Sequence, residues 1–522
     1  MRKGRPFLHG RWLTVSYFQV DALEDDVLQV LNLVRSVKNT LAPINKIPPE
    51  VLSLIPNHWQ CSDGDEDLIA LTHVCHSWRE LFTSCPLLWT RMDCTNVDKT
   101  KIYIERSKSS PLEIHLERSN DRSYREAALV LAATHVGRLR TISAEGDLTR
   151  IRTVLVKHFP CPVPSLKTLN IKHFRSYGTP PTLPNELFNG VFSSLHELCL
   201  WGGVTPLPWR GLPNLTTFSL SCVPGDKISI TQLLDFLESA PHLRHITFFK
   251  SIPDSSNAPA KRLVSLPYLN DLCIVAQPAH SILLNHLSIP VGASLTLKLT
   301  LEDNQSPILS HLPKSLNNLN NISHITAINL CFSLGQRSVR LNGPSGELYI
   351  RGNWTPVGGG RIGPTGLFLR SLDKFDTSRI QWLTATRCDD RPRPDTQVVT
   401  YAIYQILHPM DDLRILTLTQ CNNLPFILTL NPNKNPNEIV LCPKLKKVAF
   451  YIDRPDQLRI DELLSMAEER ALRGAKLSGI TIVGSDTLLP TKLSQLQKHV
   501  SHVEYKLDDA YPAWDALPGT NL

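Results

Sequence analysis

A six-residue unit, L-x-x-L-x-L, returns along this chain often enough to restrict what it can fold into. It reads Leu166-Lys-Thr-Leu169-Asn-Ile171, Leu195-His-Glu-Leu198-Cys-Leu200, Leu215-Thr-Thr-Phe218-Ser-Leu220, Leu243-Arg-His-Ile246-Thr-Phe248 and Leu269-Asn-Asp-Leu272-Cys-Ile274. A weaker first copy starts at Leu139, and three more start at Leu413, Leu445 and Leu477. The steps along the first series are about 20–29 residues, the period of a solenoid built from one strand and one return per repeat. No such unit can bury its apolar face alone, so the copies must stack. Helical periodicity appears where returns are needed, at Tyr124–His135, Gln232–Ser239 and Ile460–Leu472. Between about 300 and 410 the pattern loosens. Ile325-Thr-Ala-Ile328-Asn-Leu330 and Ile380-Gln-Trp-Leu383 read as degenerate copies, and Leu348-Tyr-Ile350 and Leu367-Phe-Leu369 as strands of an insertion or a locally all-β patch.

Composition narrows the function classes. The chain has 522 residues, 42% of them apolar, and a net charge of +7. The positive charge is spread out, with no Lys/Arg block that would track a nucleic acid. No apolar run reaches the roughly 18 residues of a membrane span. The basic start Met1-Arg2-Lys3-Gly4-Arg5 resembles a leader, but Arg11 interrupts the only apolar stretch and no convincing cleavage site comes after it. Cytoplasmic or nuclear residence is therefore expected. Glycosylation triplets at Asn214, Asn304, Asn321 and Asn353 carry little meaning without a leader. The 12 cysteines form no C-x-x-C pair, and several lie in apolar runs as small buried hydrophobes.

Ahead of the repeats the pattern differs. Residues 1–20 show no period and read as disordered. Residues 21–43 read as an amphipathic helix, with Leu23, Val27, Val30, Leu31 and Val34 on one face, acids early and Lys38 late. Its plain role is to pack on the adjoining segment of the chain. Residues 44–92 form a compact helical unit. Ile47-Pro48-Pro49-Glu50-Val51-Leu52 opens a short helix, which Pro56 limits. An acidic loop at 61–67 comes next, then a helix over Leu68–Phe82 with Leu71, Val74, Trp78 and Leu81 on one face. Pro86-Leu-Leu-Trp89 closes the unit. Its size is too small for an adequate core of its own. It must pack on the rest of the chain, offer an apolar face to a partner, or both.

On these residues the chain resembles the F-box family with leucine-rich-type repeats, especially the expanded set of mushroom-forming fungi. The resemblance rests on Ile47-Pro-Pro-Glu-Val-Leu, on Leu71-Thr-His-Val-Cys-His-Ser-Trp-Arg-Glu-Leu81 and on Pro86-Leu-Leu-Trp89. It is looser over 110–300 and 410–485. It implies an α+β protein: a small all-α F-box module at 44–92, then an α/β leucine-rich-repeat-like solenoid with a parallel sheet over 93–500, and a tail at 501–522. It also implies docking on the Skp-type adaptor of a cullin–RING ubiquitin ligase, with the repeats holding a protein substrate. Ile47, Pro48, Leu52, Ile55, Val74, Trp78, Leu81 and Trp89 would form the adaptor face or its support. The chain departs from the family in Pro56 and in the longer acidic loop, which bear on the length of the first helix and on Ile55. The alternative is a repeat scaffold that binds protein without a ligase.

On the sheet, the leucines point inward and the alternating residues outward. Candidate substrate contacts are Trp201 and Phe249, just past the last apolar position of their copies, with Lys172 and Thr247. The competing role for the two rings is to cap the core under a loop. No catalysis, cofactor or metal is expected. Gly358-Gly-Gly360-Arg-Ile-Gly363 matches G-x-G-x-x-G, but Pro364 comes next and no helix opens there to hold a phosphate. His73, Cys75 and His76 lack a third metal ligand nearby. A hydrolase on an α/β fold would need a Ser or Cys joined to a His in a pocket.

Overall fold

Most copies of the repeat, those from Leu166 to Leu269 and those at Leu413 and Leu445, fold as a tight turn that feeds a short strand. The first leucine of the unit lies in the turn, not in the strand. The amide of Leu215 donates to the Leu212 carbonyl at 3.2 Å, Leu243 to Ala240 at 3.3 Å, Leu269 to Leu266 at 3.2 Å and Leu445 to Cys442 at 3.0 Å. Both ends of these turns are buried. Pro213, Pro241, Pro267 and Pro443 take the second place in them, where the fixed φ of proline is already right. The chain then extends, and the next two apolar residues of the unit enter the sheet.

A computed structural model gives the structure of the protein. It describes residues 17–55, 66–116, 126–173, 187–190, 192–202, 212–221, 228–250, 253–254, 262–276, 278–301, 308–333, 336–353, 372–386, 396–452, 458–484 and 490–507. The chain is α+β and divides into two compact units, residues 1–140 and 141–522. The disorder expected over 1–16, the acidic loop, Leu367–Leu369 and the glycine-rich 358–363 stretch lie outside the described residues, apart from positions 66 and 67 of the loop.

The second unit is a long, mostly parallel sheet. Thr168–His173, Glu197–Trp201, Thr217–Ser221, His245–Phe249, Asp271–Ala276 and Ser294–Thr300 pair in parallel, each with the next. Trp382–Thr386, Ile415–Thr419, Lys447–Ile452, Gly479–Gly484 and His502–Leu507 do the same. The register puts the apolar positions of the repeat in unbroken rows. Leu169, Leu198, Phe218, Ile246, Leu272 and Leu295 succeed one another across the strands, with Ile171, Leu200, Leu220, Phe248, Ile274 and Leu297 beside them. All twelve are buried. Each such side chain contributes roughly 1.5–3 kcal/mol by leaving water. The last strand lies within residues 501–522, so the ladder continues into what reads from sequence as a tail.

The loosely patterned middle does not interrupt the sheet. Ala327–Ser333, Gln336–Gly343 and Gly346–Asn353 form an antiparallel meander. Its last strand pairs in parallel with Ser294–Thr300, and its first pairs in parallel with Trp382–Thr386. The chain therefore visits these strands in reverse spatial order, and only Gln336–Gly343 runs backwards. The turn between its second and third strands depends on glycine. Gly346 has φ +133°, and a Cβ on Gly343 would collide with the His324 carbonyl. The apolar rows pass through this patch as Leu348, Leu341 and Ile328, then Leu383.

Returns between strands are α-helical at Leu148–His158, Ile230–Glu238, Thr396–Leu407, Leu424–Leu430, Ile460–Leu472 and Pro490–His499. The sequence places two of these well: Ile460–Leu472 matches to the residue, and Ile230–Glu238 lies within two residues of the expected span. The Ile460–Leu472 helix carries a fully buried arginine. Arg470 donates to the Leu441 carbonyl at 2.7 Å and to Cys442 at 3.0 Å, and burial lowers its pKa from the usual guanidinium value. It thereby satisfies the backbone of the segment that turns into the Lys447–Ile452 strand.

The first unit is largely helical: Tyr17–Leu41, Pro49–Leu52, Glu66–Thr72, His76–Ser84, Val97–Arg106 and Glu126–Ala133, with short strands Arg91–Met92 and Leu112–Leu116 paired in parallel. The long helix begins at Tyr17, inside the stretch whose pattern suggests disorder. The single helix expected over Leu68–Phe82 is two helices. Cys75 is extended at φ −159°, and the Arg79 side chain donates to the Thr72 carbonyl at 2.9 Å, closing the end of the first. His73 and Cys75 thus lie in the break and not on a helix.

Replacing Arg470 by Ala strands the Leu441 carbonyl, takes one of two bonds from the Cys442 carbonyl and opens a cavity. The expected loss is on the order of 2–4 kcal/mol of unfolding free energy in urea. A loss under about 0.5 kcal/mol, typical of surface changes, would show that the bonds to Leu441 and Cys442 are not needed.

Candidate functional site

One face of the sheet carries the buried rows; the other carries the residues between them. That second face has its own rows. Lys172, Trp201, Ser221, Phe249, Val275 and Lys298 are successive neighbours in one. Asn170, Cys199, Ser219, Thr247, Cys273 and Thr296 make the adjacent one. All four residues selected from sequence, Lys172, Trp201, Phe249 and Thr247, therefore share this face.

Trp201 and Phe249 stand two strands apart, which is about 9–10 Å at ordinary strand spacing. Their rings nevertheless stack, with centroids 5.4 Å apart and planes at 17°. They lean together over Ser221, which is small enough to sit beneath them and is 8% exposed. Both rings remain half-buried. They neither cap the solenoid core nor stand free, but form a flat apolar shelf on the sheet's polar face.

The ends of these strands hold the shelf in place. Gly202, directly after Trp201, takes φ +94° and donates its amide to the Ser221 carbonyl at 2.9 Å. Lys250, directly after Phe249, takes φ +53° and donates to Val275 at 2.6 Å. That conformation brings the Lys250 ammonium to 5.5 Å from the centre of the Phe249 ring. Lys250 was missed from sequence, since nothing in the repeat unit marks a positive φ at that position.

Cations border the shelf at Lys172, Lys250 and Lys298. Acids share the face: Glu145 is the strand neighbour of Lys172 in the same row, and two rows away Asp271 pairs with His245 at 2.8 Å. Farther along, Glu347 pairs with Arg340 at 2.9 Å, and that guanidinium lies 5.0 Å from the centre of the Tyr349 ring. Beyond the meander the same face bears Thr384, Thr386, Thr417 and Thr419, all buried and therefore closed to a partner. The stretch from Lys172 to Lys298 carries the stacked pair with its cations; Trp382, Lys447, Tyr451 and Lys506 lie accessible farther along the same face.

The thiols on this face are not tuned for attack. Burial pushes Cys199 up to about 11, against smaller opposing effects of Lys172 and the Trp201 indole N–H. Burial raises Cys273 as well, with Lys298 opposing. Both stay protonated near neutral pH, the reverse of an activated nucleophile. Among the described residues no group of three or more His, Cys, Asp or Glu could hold a metal ion. No described helix is long and apolar enough to cross a membrane.

In the helical unit the motif residues divide by depth. Trp78 and Trp89 are interior. Trp78 stacks edge-on against Phe82 at 5.4 Å and its Nε1–H donates to Asn45 Oδ1 at 2.6 Å. Trp89 meets Tyr103 edge-on at 5.0 Å, donates from Nε1 to the Phe82 carbonyl at 2.8 Å, and has the Arg106 guanidinium 4.3 Å from its ring centre. Leu52 is buried; Ile47, Ile55 and Leu81 are half-buried. Pro48 and Val74 are exposed, as are Ile44, Val51, Leu54, Ile69 and Leu87, which sequence reasoning did not select.

No family model matches the chain, and no curated protein matches it. A solved protein from Bacteroides fragilis aligns over 73% of this chain and 78% of its own, at 12% identity and a TM-score of 0.18. A likeness that slight carries no argument.

Adjacent residues should report the two faces of the sheet. Leu200→Ala should cost about 2–5 kcal/mol, as buried Leu→Ala changes do. Trp201→Ala, one residue on, should cost only about 1 kcal/mol, the scale of an aromatic pair. Chemical denaturation of both variants checks this, and equal losses would place Trp201 in the core. Alkylation of Cys199 and Cys273 should be slow at pH 7 and accelerate as the pH approaches about 11 for Cys199. Fast labelling at neutral pH would contradict the raised thiols.

Proposed function

We propose that this protein is a substrate receptor of a Skp–cullin–F-box ubiquitin ligase. Residues 44–92 act as the F-box that docks on the Skp-type adaptor, and the leucine-rich-type repeats hold the protein to be modified. The support that carries the reading is the layout of the helical unit. Trp78 and Trp89 lock its interior, while Ile44, Val51, Leu54, Ile69, Val74 and Leu87 remain exposed around the motif. So many exposed aliphatics in so short a segment suit an apolar interface. In this reading Trp78, Trp89 and Leu52 are supports. Pro48, Val74 and the exposed aliphatics make the contact, with half-buried Ile47, Ile55 and Leu81 at its edge.

The substrate would lie across the shelf. An apolar side chain set against the Trp201–Phe249 stack, flanked by carboxylates facing Lys172, Lys250 and Lys298, matches the site in shape and sign. The chain would then act by proximity, raising the effective concentration of a substrate lysine beside a charged conjugating enzyme. No side chain of its own would take part in bond making, and cytoplasm or nucleus is where the adaptor would be met.

Full-length protein should capture a Skp-type adaptor. Val74→Asp with Leu87→Asp should weaken capture at least tenfold while leaving thermal unfolding unchanged. Trp78→Ala should weaken capture only together with a lowered melting temperature, because it removes an internal support. If the intact chain captures no adaptor while still binding a protein through the shelf, it is a scaffold without ligase association.

A further inference from the structure

The helix Tyr17–Leu41 bears a seam that nothing in the described structure covers. Val20, Leu23, Val27, Val30, Val34, Val37 and Leu41 alternate in steps of three and four. These are seven successive a and d positions of a heptad, and each is between 50% and 70% exposed. Asp25, Asn32 and Asn39 occupy the opposite side of the helix. Leu31 and Leu33 flank the middle of the seam and are exposed too. A lone helix gains most of its stability from packing its apolar face. A strict seam of this period is the geometry for another helix of the same kind.

Charge sets the direction of the pairing. The first half of the helix carries Asp21, Glu24, Asp25 and Asp26; the second carries Arg35 and Lys38. Two copies side by side and parallel would place four acids against four. Antiparallel copies place acid against base and also oppose the helix dipoles. Matching a to d positions in that orientation sets Leu23 against Leu41 of the second copy, Val27 against Val37 and Val30 against Val34. Glu24 then faces Lys38 of the second copy at each end, and Leu31 and Leu33 meet their own counterparts at the centre.

We infer that residues 17–41 pair two copies of this chain as an antiparallel coiled coil. The inference is independent of adaptor docking and would hold for a scaffold as well as for a ligase receptor. Sedimentation of the full-length chain across micromolar concentrations should show a dimer. Val30→Asp with Val34→Asp should leave a monomer whose body unfolds at the unchanged temperature, since both positions are exposed. Glu24→Lys alone and Lys38→Glu alone should each weaken dimerisation several-fold. Mixing these two variants should restore it, because the mixed pair has Lys facing Glu at both ends. A monomer throughout, or a dimer indifferent to the double aspartate variant, would overturn the proposal. A dimer that loses nothing from either single charge reversal would overturn the antiparallel pairing.

Discussion

The second unit depends on one recurrent arrangement, a buried turn leading into two inward apolar residues spaced two apart. The turn fixes where each strand begins. The spacing of two sends both side chains to the same face. Because neighbouring strands begin at equivalent places, their inner residues fall into continuous rows without any long-range instruction. Leu198 is held between Leu169 and Phe218, and each of those is held by the next strand out. A slip of one residue would turn every leucine of a strand to the polar face and every polar residue inward. Register is thus over-determined, and the intervening residues are released from any packing role. Asn170, Ser219, Thr247 and Thr296 can be small and polar, and Trp201 and Phe249 can be large, at no cost to the ladder.

The same logic explains the meander. Three strands entered in reverse order could have ended the sheet. They do not, because the outer two run with the ladder and the one that runs backwards lies between them. Alternation within a strand does not depend on its direction. Leu341 of the reversed strand therefore fills the row between Leu348 and Ile328 as well as a parallel residue would. What the sequence lacks here is the proline-bearing turn, and with it the spacing that makes the other copies visible.

Legibility tracked the range of the interactions. The strands of the repeats, the Ile460–Leu472 helix and the polar face bearing Lys172, Trp201, Thr247 and Phe249 could be read because period and spacing are local. The Trp201–Phe249 stack could not, since it joins residues from strands two apart and depends on the smallness of Ser221 between them. Lys250 escaped notice because its place over the Phe249 ring comes from a positive φ, and residue type does not announce that in lysine. The break at Cys75 was hidden for a similar reason. The apolar spacing of Leu71, Val74, Trp78 and Leu81 suits one helix, and the Arg79 side chain that closes the earlier segment acts through a backbone carbonyl.

The first unit shows why a tryptophan in a motif is a weak guide to an interface. An indole offers a large apolar area and one N–H, so an interior position becomes favourable once that N–H finds an acceptor. Trp78 has Asn45 and Trp89 has the Phe82 carbonyl, and each ring is packed edge-on against another. Valine and leucine have no such polar group to satisfy, and their exposure has no internal compensation. Among the described residues, the apolar surface left in water on this unit is aliphatic: Val51, Leu54, Val74 and Leu87 on the short helices and turns, and the valine-rich seam on the long one. The surfaces differ in form. The seam repeats with the period of another helix like itself, whereas the short elements carry no period and suit a partner that supplies its own shape.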